Sequence, residues 1–384
     1  MMKIGILTFH RPINYGAFLQ SYALSNRLSR ELSDCDVEII DYIAPKEKNK
    51  IYINILRRIK KQGITAGIAE IKKIKIFKKS LRYLKLSSSK FCTDKLDVLF
   101  EYINNEYDLL IIGSDAVFNW NQNGYPTAFI PNYQFTIPVY TYAASVHGLR
   151  FYDEPQERIE ACGQTFMKMD CVFTRDQCSE KFVKYCDPNC KVQHACDPTF
   201  LIDFDQLYAI PHRSIDVIKE KYRIKRPYII LMLQNEEISR VIYEQYNKDF
   251  DIISLFINNR FSDYFLGDLT PVEWSMVLKH AKAVITSYFH GTLLSLQQNV
   301  PVIVVDVSHY NGKYEGKLKD LMVSRLNLSE LYFSIEDLKI NEQIILNTIK
   351  ECINGVYESK IISGVKTEKE VFKDFIDCIQ TSMR

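Results

Sequence analysis

The sequence is short of nearly every local signature that would assign a function outright. No stretch stays apolar for the ~18 residues a membrane-spanning helix needs, and the opening MMKIGILTF runs straight into strand-type sequence without the apolar core and cleavage site of a secretory leader. These absences lead to the expectation of a cytoplasmic chain. The ten cysteines include no CxxC pair and no Cys/His group at metal-ligand spacing, even where Cys171, Cys178, Cys186, Cys190 and Cys196 crowd together. Buried, reduced thiols and no metal are therefore expected. The net charge of +2 names no partner, and no nucleic-acid recognition motif is present. The turn after the first strand reads HRPINYGA rather than GxGxxG, which removes the dinucleotide fingerprint. No residue repeat or low-complexity tract interrupts the chain.

What is present is an α/β rhythm in a chain too long for one core. At 384 residues it exceeds the ~250–300 at which a single hydrophobic core stops growing, so two domains are expected. Strand-type runs at Lys3–Phe9, Val37–Ile40, Tyr107–Ile112, Pro138–Ser145 and Cys171–Thr174 alternate with helical spacing. A second series follows at Tyr228–Leu233, Asp251–Phe256, Ala283 onward and Pro301–Asp306. Asp94 is placed as the cap of a helix to about Asn104, Thr270-Pro271-Val272-Glu273 carries a helix-start signature, and Asp203–Arg226 reads as a helix-poor connector. Two long helical patterns, Asn341–Tyr357 and Glu368–Ser382, finish the chain. The expected architecture is two doubly wound Rossmann-like domains facing a cleft, over residues 1–205 and 206–360, with 361–384 as a helix crossing back to the first.

Several stretches carry chemistry. In AVITSYFHG, His290 stands at a strand-to-helix turn, with Ser287 as a cap, Gly291 allowing close backbone approach, and a helix from Thr292. Such turns lie at the carboxyl edge of an α/β sheet, where helix N-termini attract anions. Gly113-Ser114-Asp115 ends another strand, and Trp120 beyond it is either a sugar platform or core packing. Arg175 also ends a strand, placed to receive a carboxylate or phosphate, or else to pair with a neighbouring acid. Asn14 and Gly16 form a small anion or sugar nest, or simply a turn. Gly312, Lys313, Gly316 and Lys317 make a cationic loop fit to close on an anion.

The segment from about 46 to 90 has a different composition. Fifteen Lys and Arg face only Glu47 and Glu70, and isoleucines and leucines recur between them at helical intervals. One or two basic amphipathic helices follow, suited to an anionic membrane surface or a lipid diphosphate, or to plain solvation of a cationic face.

Six short motifs in order resemble the polysaccharide pyruvyl transferase family along most of the chain: Asn14-Tyr15-Gly16-Ala17 with Leu19-Gln20, Ile112-Gly113-Ser114-Asp115, Tyr142-Ala143-Ala144-Ser145, Arg175-Asp176, Asp197-Pro198-Thr199, and Ser287-Tyr288-Phe289-His290-Gly291. The resemblance implies a GT-B fold and transfer of pyruvate from phosphoenolpyruvate, as a ketal, to a sugar of a bacterial capsular polysaccharide or exopolysaccharide or of its lipid-linked precursor. It implies His290 as the catalytic acid/base. Arg175 is implied to hold the donor together with one loop lysine, matched by Lys313 or, in another register, by Lys317; Ser287 and Gly291 are placed on the same donor side. Asn14, Gly16, Gln20, Ser114 and Asp115, which fall in these motifs, are placed on the acceptor side, with Trp120, outside them, as a candidate sugar platform there. No cofactor is implied beyond the donor substrate. Several relatives carry arginine two residues before the histidine, where this chain has Tyr288, so the donor's charge is to be met by Arg175 and the Lys313 loop. A glycosyltransferase of the same architecture using a nucleotide sugar, and a non-catalytic glycan-binding protein, are the other readings.

Overall fold

The structure is a computed structural model that describes residues 1–131, 135–307 and 316–382. The chain divides into two compact units. One comprises Met1–Ile74, Lys78–Ile202 and Glu370–Arg384; the other comprises Lys75–Phe77 and Asp203–Lys369.

The first unit is built on seven parallel strands: β1 (Met2–Leu7), β2 (Cys35–Tyr42), β3 (Leu86–Phe91), β4 (Leu109–Ile112), β5 (Val139–Ala144), β6 (Cys171–Thr174) and β7 (Val192–His194). Their order is β3-β2-β1-β4-β5-β6-β7, so the winding reverses between β1 and β4. The second unit repeats the scheme with six: β8 (Tyr228–Met232), β9 (Asp251–Leu255), β10 (Tyr264–Leu266), β11 (Ala283–Thr286), β12 (Val302–Asp306) and β13 (Tyr332–Ser334), ordered β10-β9-β8-β11-β12-β13. Its reversal lies between β8 and β11, which pair in parallel from Ala283 with Ile229 to Thr286 with Met232. Helices cover both faces of such sheets, so the central strands are largely apolar; LLII in β4 and VIVVD in β12 are buried at every position.

The sequence reading located the nine inner strands and passed over β3, β7, β10 and β13, which are the four edges of the two sheets. Three of the four are only three residues long, and β3 is the polar LSSSKF. An edge strand buries little, so its apolar signal is weak.

Other local expectations need correction. Lys95, not Asp94, precedes the helix Leu96–Glu106. The Asp203–Arg226 connector contains two capped helices, Phe204–Ala209 and Ile215–Tyr222, started by the side chains of Asp203 and Ser214. The C-terminal patterns resolve into three helices, Gln343–Ile353, Glu358–Glu370 and Phe372–Ser382. The Thr270 capping box forms as read, with Glu273 returning a hydrogen bond to the Thr270 N–H. Not all thiols are reduced: Cys171 of β6 is bonded to Cys378 of the last helix, a closure that spacing alone could not reveal.

In the basic segment, α1 (Tyr15–Glu31) and β2 are followed by α2 (Pro45–Gln62) and α3 (Ile64–Ser80), two helices joined at Gly63. Its φ of 85° is the left-handed conformation glycine tolerates at a helix end.

Candidate functional site

In the first unit, five of the six motifs converge on the carboxyl edge of the sheet and join in one buried polar network. Asn14 caps α1, its side-chain oxygen accepting from the Gly16 and Ala17 N–H groups. One turn on, fully buried Gln20 donates to Thr8 Oγ1 and the Phe9 carbonyl, and accepts from the Ser114 hydroxyl. Thr8 Oγ1 in turn donates to the Ser114 carbonyl at 3.0 Å, tying the loops after β1 and β4 across the winding reversal.

Arg175 is the centre of the next layer. Its side chain is 0% exposed, and Nη1 donates to Asp197 Oδ2 at 2.8 Å and lies 3.5 Å from Asp115 Oδ1. Burial works against the guanidinium's charge, but Asp197, Asp115 and Asp176 outweigh it and raise its pKa further above the ordinary value. Asp176 caps the helix Gln177–Cys186 through the Ser179 N–H and accepts from the hydroxyls of Ser145 and Ser179. Burial pushes its carboxyl up, and Arg175 with these hydroxyls brings it below the usual carboxylate range. Asp197 Oδ1 accepts from the Thr199 N–H.

This arrangement corrects the sequence assignments. Arg175 is enclosed inside the first unit beside the carboxylates of Asp197 and Asp115, with its side chain 0% exposed. Gly16, Gln20 and Ser114 are buried, Gly16 bound to the Asn14 side chain and Gln20 to Ser114, and Asp115 is largely buried beside Arg175. Trp120 is 3% exposed, packed against Phe182 and Tyr125 with Arg158 over its ring, so it is core rather than a sugar platform. Asn14 remains half-buried and is occupied as a cap.

The same edge holds a group that sequence reasoning missed. His10, fully buried at the end of β1, has Nε2 3.2 Å from Asp41 Oδ1, and Arg11 Nε donates to the same carboxylate at 2.6 Å. Burial raises the Asp41 carboxyl, but His10 and Arg11 together lower it to about 2. Beside it, Phe9, Pro12, Tyr42, Ile43, Ala44, Glu47 and Phe129 line an apolar pocket. The signal available in the sequence was weak, since these residues come from three separated segments.

In the second unit, the His290 turn follows β11 at the winding reversal, the position where open α/β sheets bind ligands. The helix runs Phe289–Gln297 with Tyr288 at its N-cap, so it starts three residues earlier than the sequence suggested, and Ser287 does not cap it. Instead Ser287 N–H donates to the Met232 carbonyl, fixing the turn to the end of β8. Tyr288 N–H donates to Thr286 Oγ1 at 2.9 Å. The Tyr288 hydroxyl accepts from Gln234 at 3.2 Å, joining the loops after β11 and β8, and burial raises its pKa, so it stays neutral. Gly291 packs on Met232; a Cβ there would collide with the methionine's Cε.

His290 itself lies in the first turn, half-buried, its ring 5.6 Å from that of Phe289. Lys317 reaches the same aromatic ring, its Nζ 4.7 Å from the centroid. A histidine, a lysine and helix-terminal N–H donors therefore share one small region, an arrangement suited to an anion and to proton transfer. Lys313 lies outside the described residues. Among the described residues, no group of His, Cys, Asp and Glu is arranged to hold a metal.

Comparison with known proteins bears on both units. Solved structures with the same two parallel-sheet α/β domains include S. aureus MnaA in complex with UDP, at 13% identity and a TM-score of 0.53, covering 100% of this chain and 97% of that one. A putative UDP-N-acetylglucosamine 2-epimerase from Listeria monocytogenes aligns at 8% identity and a TM-score of 0.56, covering 100% and 96%. At these identities the likeness shows the fold, which is the GT-B arrangement. None of the curated proteins matches the chain. The family model for polysaccharide pyruvyl transferase matches residues 14–309, from the Asn14 cap through the His290 turn to the end of the second unit's central strands, and the chain belongs to that family.

Proposed function

We propose that this transferase moves pyruvate from phosphoenolpyruvate onto two hydroxyls of a glycan sugar, forming a ketal. The observation that carries the reading is the pairing of His290 and Lys317 around Phe289, at the first turn of a helix on the winding reversal of the second sheet. Phosphoenolpyruvate presents a carboxylate and a phosphate, which call for a cation and helix-terminal N–H groups.

In the proposed reaction, His290 protonates the donor's methylene carbon, and the electron deficiency falls on C2. A sugar hydroxyl attacks C2 and loses its proton to the imidazole. Cleavage of the C2–O bond releases phosphate, and the second hydroxyl adds to the same carbon. Of the two hydroxyl protons, one is accounted for in the new methyl group and one leaves with phosphate. Proton transfer of this kind contributes about 10²–10⁴-fold. Lys317 holds the donor's negative charge, with Lys313 assigned the same task. Ser287 and Gly291 shape the turn, one by anchoring it to β8 and the other by letting the helix approach Met232. Arg175 acts at a distance, by holding the loops that carry Asp115 and Asp197.

The test is phosphate release from phosphoenolpyruvate with a glycan acceptor. His290→Ala should lose about 10²–10⁴-fold in turnover with an unchanged circular dichroism spectrum; an unaltered rate removes His290 from the chemistry. A thermal-shift series adds the donor's identity, because a ligand of the native state raises its stability by mass action. Phosphoenolpyruvate should stabilise the chain. Stabilisation by UDP-sugars alone would replace this reading with the nucleotide-sugar one, which the UDP bound in the S. aureus structure makes the natural competitor.

A further inference from the structure

We infer that the α2–α3 hairpin is a docking surface for an anionic lipid bilayer. Both helices carry the same exposed apolar stripe at positions i, i+4 and i+7: Tyr52, Leu56 and Ile59 in α2, and Ile64, Ile68 and Ile71 in α3. Leu56, Ile64 and Ile68 are 66%, 71% and 61% exposed, values a folded chain seldom leaves on three neighbouring branched side chains. The stripe is not left over from an unfinished core. On α3 the opposite side buries Ile74 and Phe77, so the helix already has its inward face.

The hairpin is held as a unit. Gly67 lets α3 approach α2 so closely that a Cβ there would collide with Ile59, and Arg58 pairs with Glu70 across the helices at 3.7 Å. Its root is fixed as well, by Lys46 and Lys50 donating to the carbonyls of Asn121 and Gln122.

Charge selects the occupant. Between Pro45 and Ser80, twelve Lys and Arg stand against Glu47 and Glu70, and exposed Arg57, Lys60, Lys61, Lys75, Lys78 and Lys79 flank the apolar stripes. A second copy of this chain would bring an equally cationic face against the first, which like-charge repulsion opposes. A nucleic acid would satisfy the charge and leave the isoleucines in water. An anionic bilayer satisfies both, with phosphate headgroups around the cations and the acyl boundary under the apolar stripe. This inference stands independently of the donor's identity.

Co-sedimentation of the full-length chain with phosphatidylcholine vesicles, with and without phosphatidylglycerol, tests it. Binding should rise at least tenfold with the anionic lipid and fall steeply with added salt. Two variant sets on exposed positions keep the fold intact: Leu56→Ser with Ile64→Ser and Ile68→Ser, and Lys60→Glu with Lys61→Glu and Lys79→Glu. Each should lower vesicle binding about tenfold or more while leaving phosphate release in detergent-free solution unchanged. Equal, weak binding of the parent chain to both vesicle types overturns the inference. So does a solution dimer that the serine set dissociates, since a second copy would then be the occupant.

Discussion

Arg175 donates from Nη1 to Asp197 Oδ2 at 2.8 Å, and neither side chain reaches solvent to any useful extent. The pair joins the ends of β6 and β7, with Asp115 bringing in the end of β4. Removing one partner leaves the other as an uncompensated buried charge, which costs about 3–5 kcal/mol. Arg175→Met and Asp197→Asn should each shift the urea midpoint accordingly. The Michaelis constant for the donor should stay unchanged in whatever fraction remains folded. A selective rise in that constant, with stability intact, would return Arg175 to the donor site.

Two glycines distinguish backbone from side-chain crowding. Gly113 has a φ of 121°, and a Cβ there would meet the Tyr142 carbonyl oxygen of the neighbouring strand, which cannot move away. Gly113→Ala should cost about 3 kcal/mol or more. At Gly291 the obstacle is the far end of Met232, a flexible thioether, so Gly291→Ala should cost only about 1–2 kcal/mol. Thermal denaturation of the two variants should rank them in that order.

Acid stability should report on Asp41. Its carboxyl has an ordinary value of 3.8 and is held at about 2 in the fold by His10 and Arg11. A depressed carboxyl contributes its full stabilisation above the unfolded value and loses it as pH falls from about 4 toward 2. Asp41→Asn should therefore be less stable than the parent by about 2 kcal/mol near neutrality, with the gap closing below pH 4. A gap independent of pH would mean that packing, and not charge, is what Asp41 supplies.

Tyr288 is neutral and bound to Gln234, two residues before His290. Under the proposed reaction, Tyr288→Arg should tighten phosphoenolpyruvate binding roughly tenfold, the worth of one charge-assisted hydrogen bond. Isothermal titration measures it directly. Unchanged or weaker binding would indicate that the donor's charge does not point toward this residue.

The inner strands were legible because strands buried on both faces are mostly apolar, as in the AVI of AVIT and the VIVV of VIVVD; the edges were not, because VQH and YFS bury too little to leave a pattern. His290 was legible for a similar reason: a strand run, a glycine and an apolar helix within a few residues place it at a sheet's carboxyl edge whatever the rest of the chain does. The basic hairpin was legible as helices from periodicity alone, and its apolar stripes could have been packed or exposed on that evidence.

The sequence by itself determined the α/β rhythm, the two-unit division and the place of each motif along the chain, since these depend on local spacing and total apolar content. Tertiary structure alone decided what the polar motif residues do. Arg175 reads as an anion receptor until Asp197, 22 residues further on, and Asp115, 60 residues earlier, are brought beside it. Local sequence cannot foretell that pairing, because a charge inside the fold must be met by charges that only the folded chain brings there.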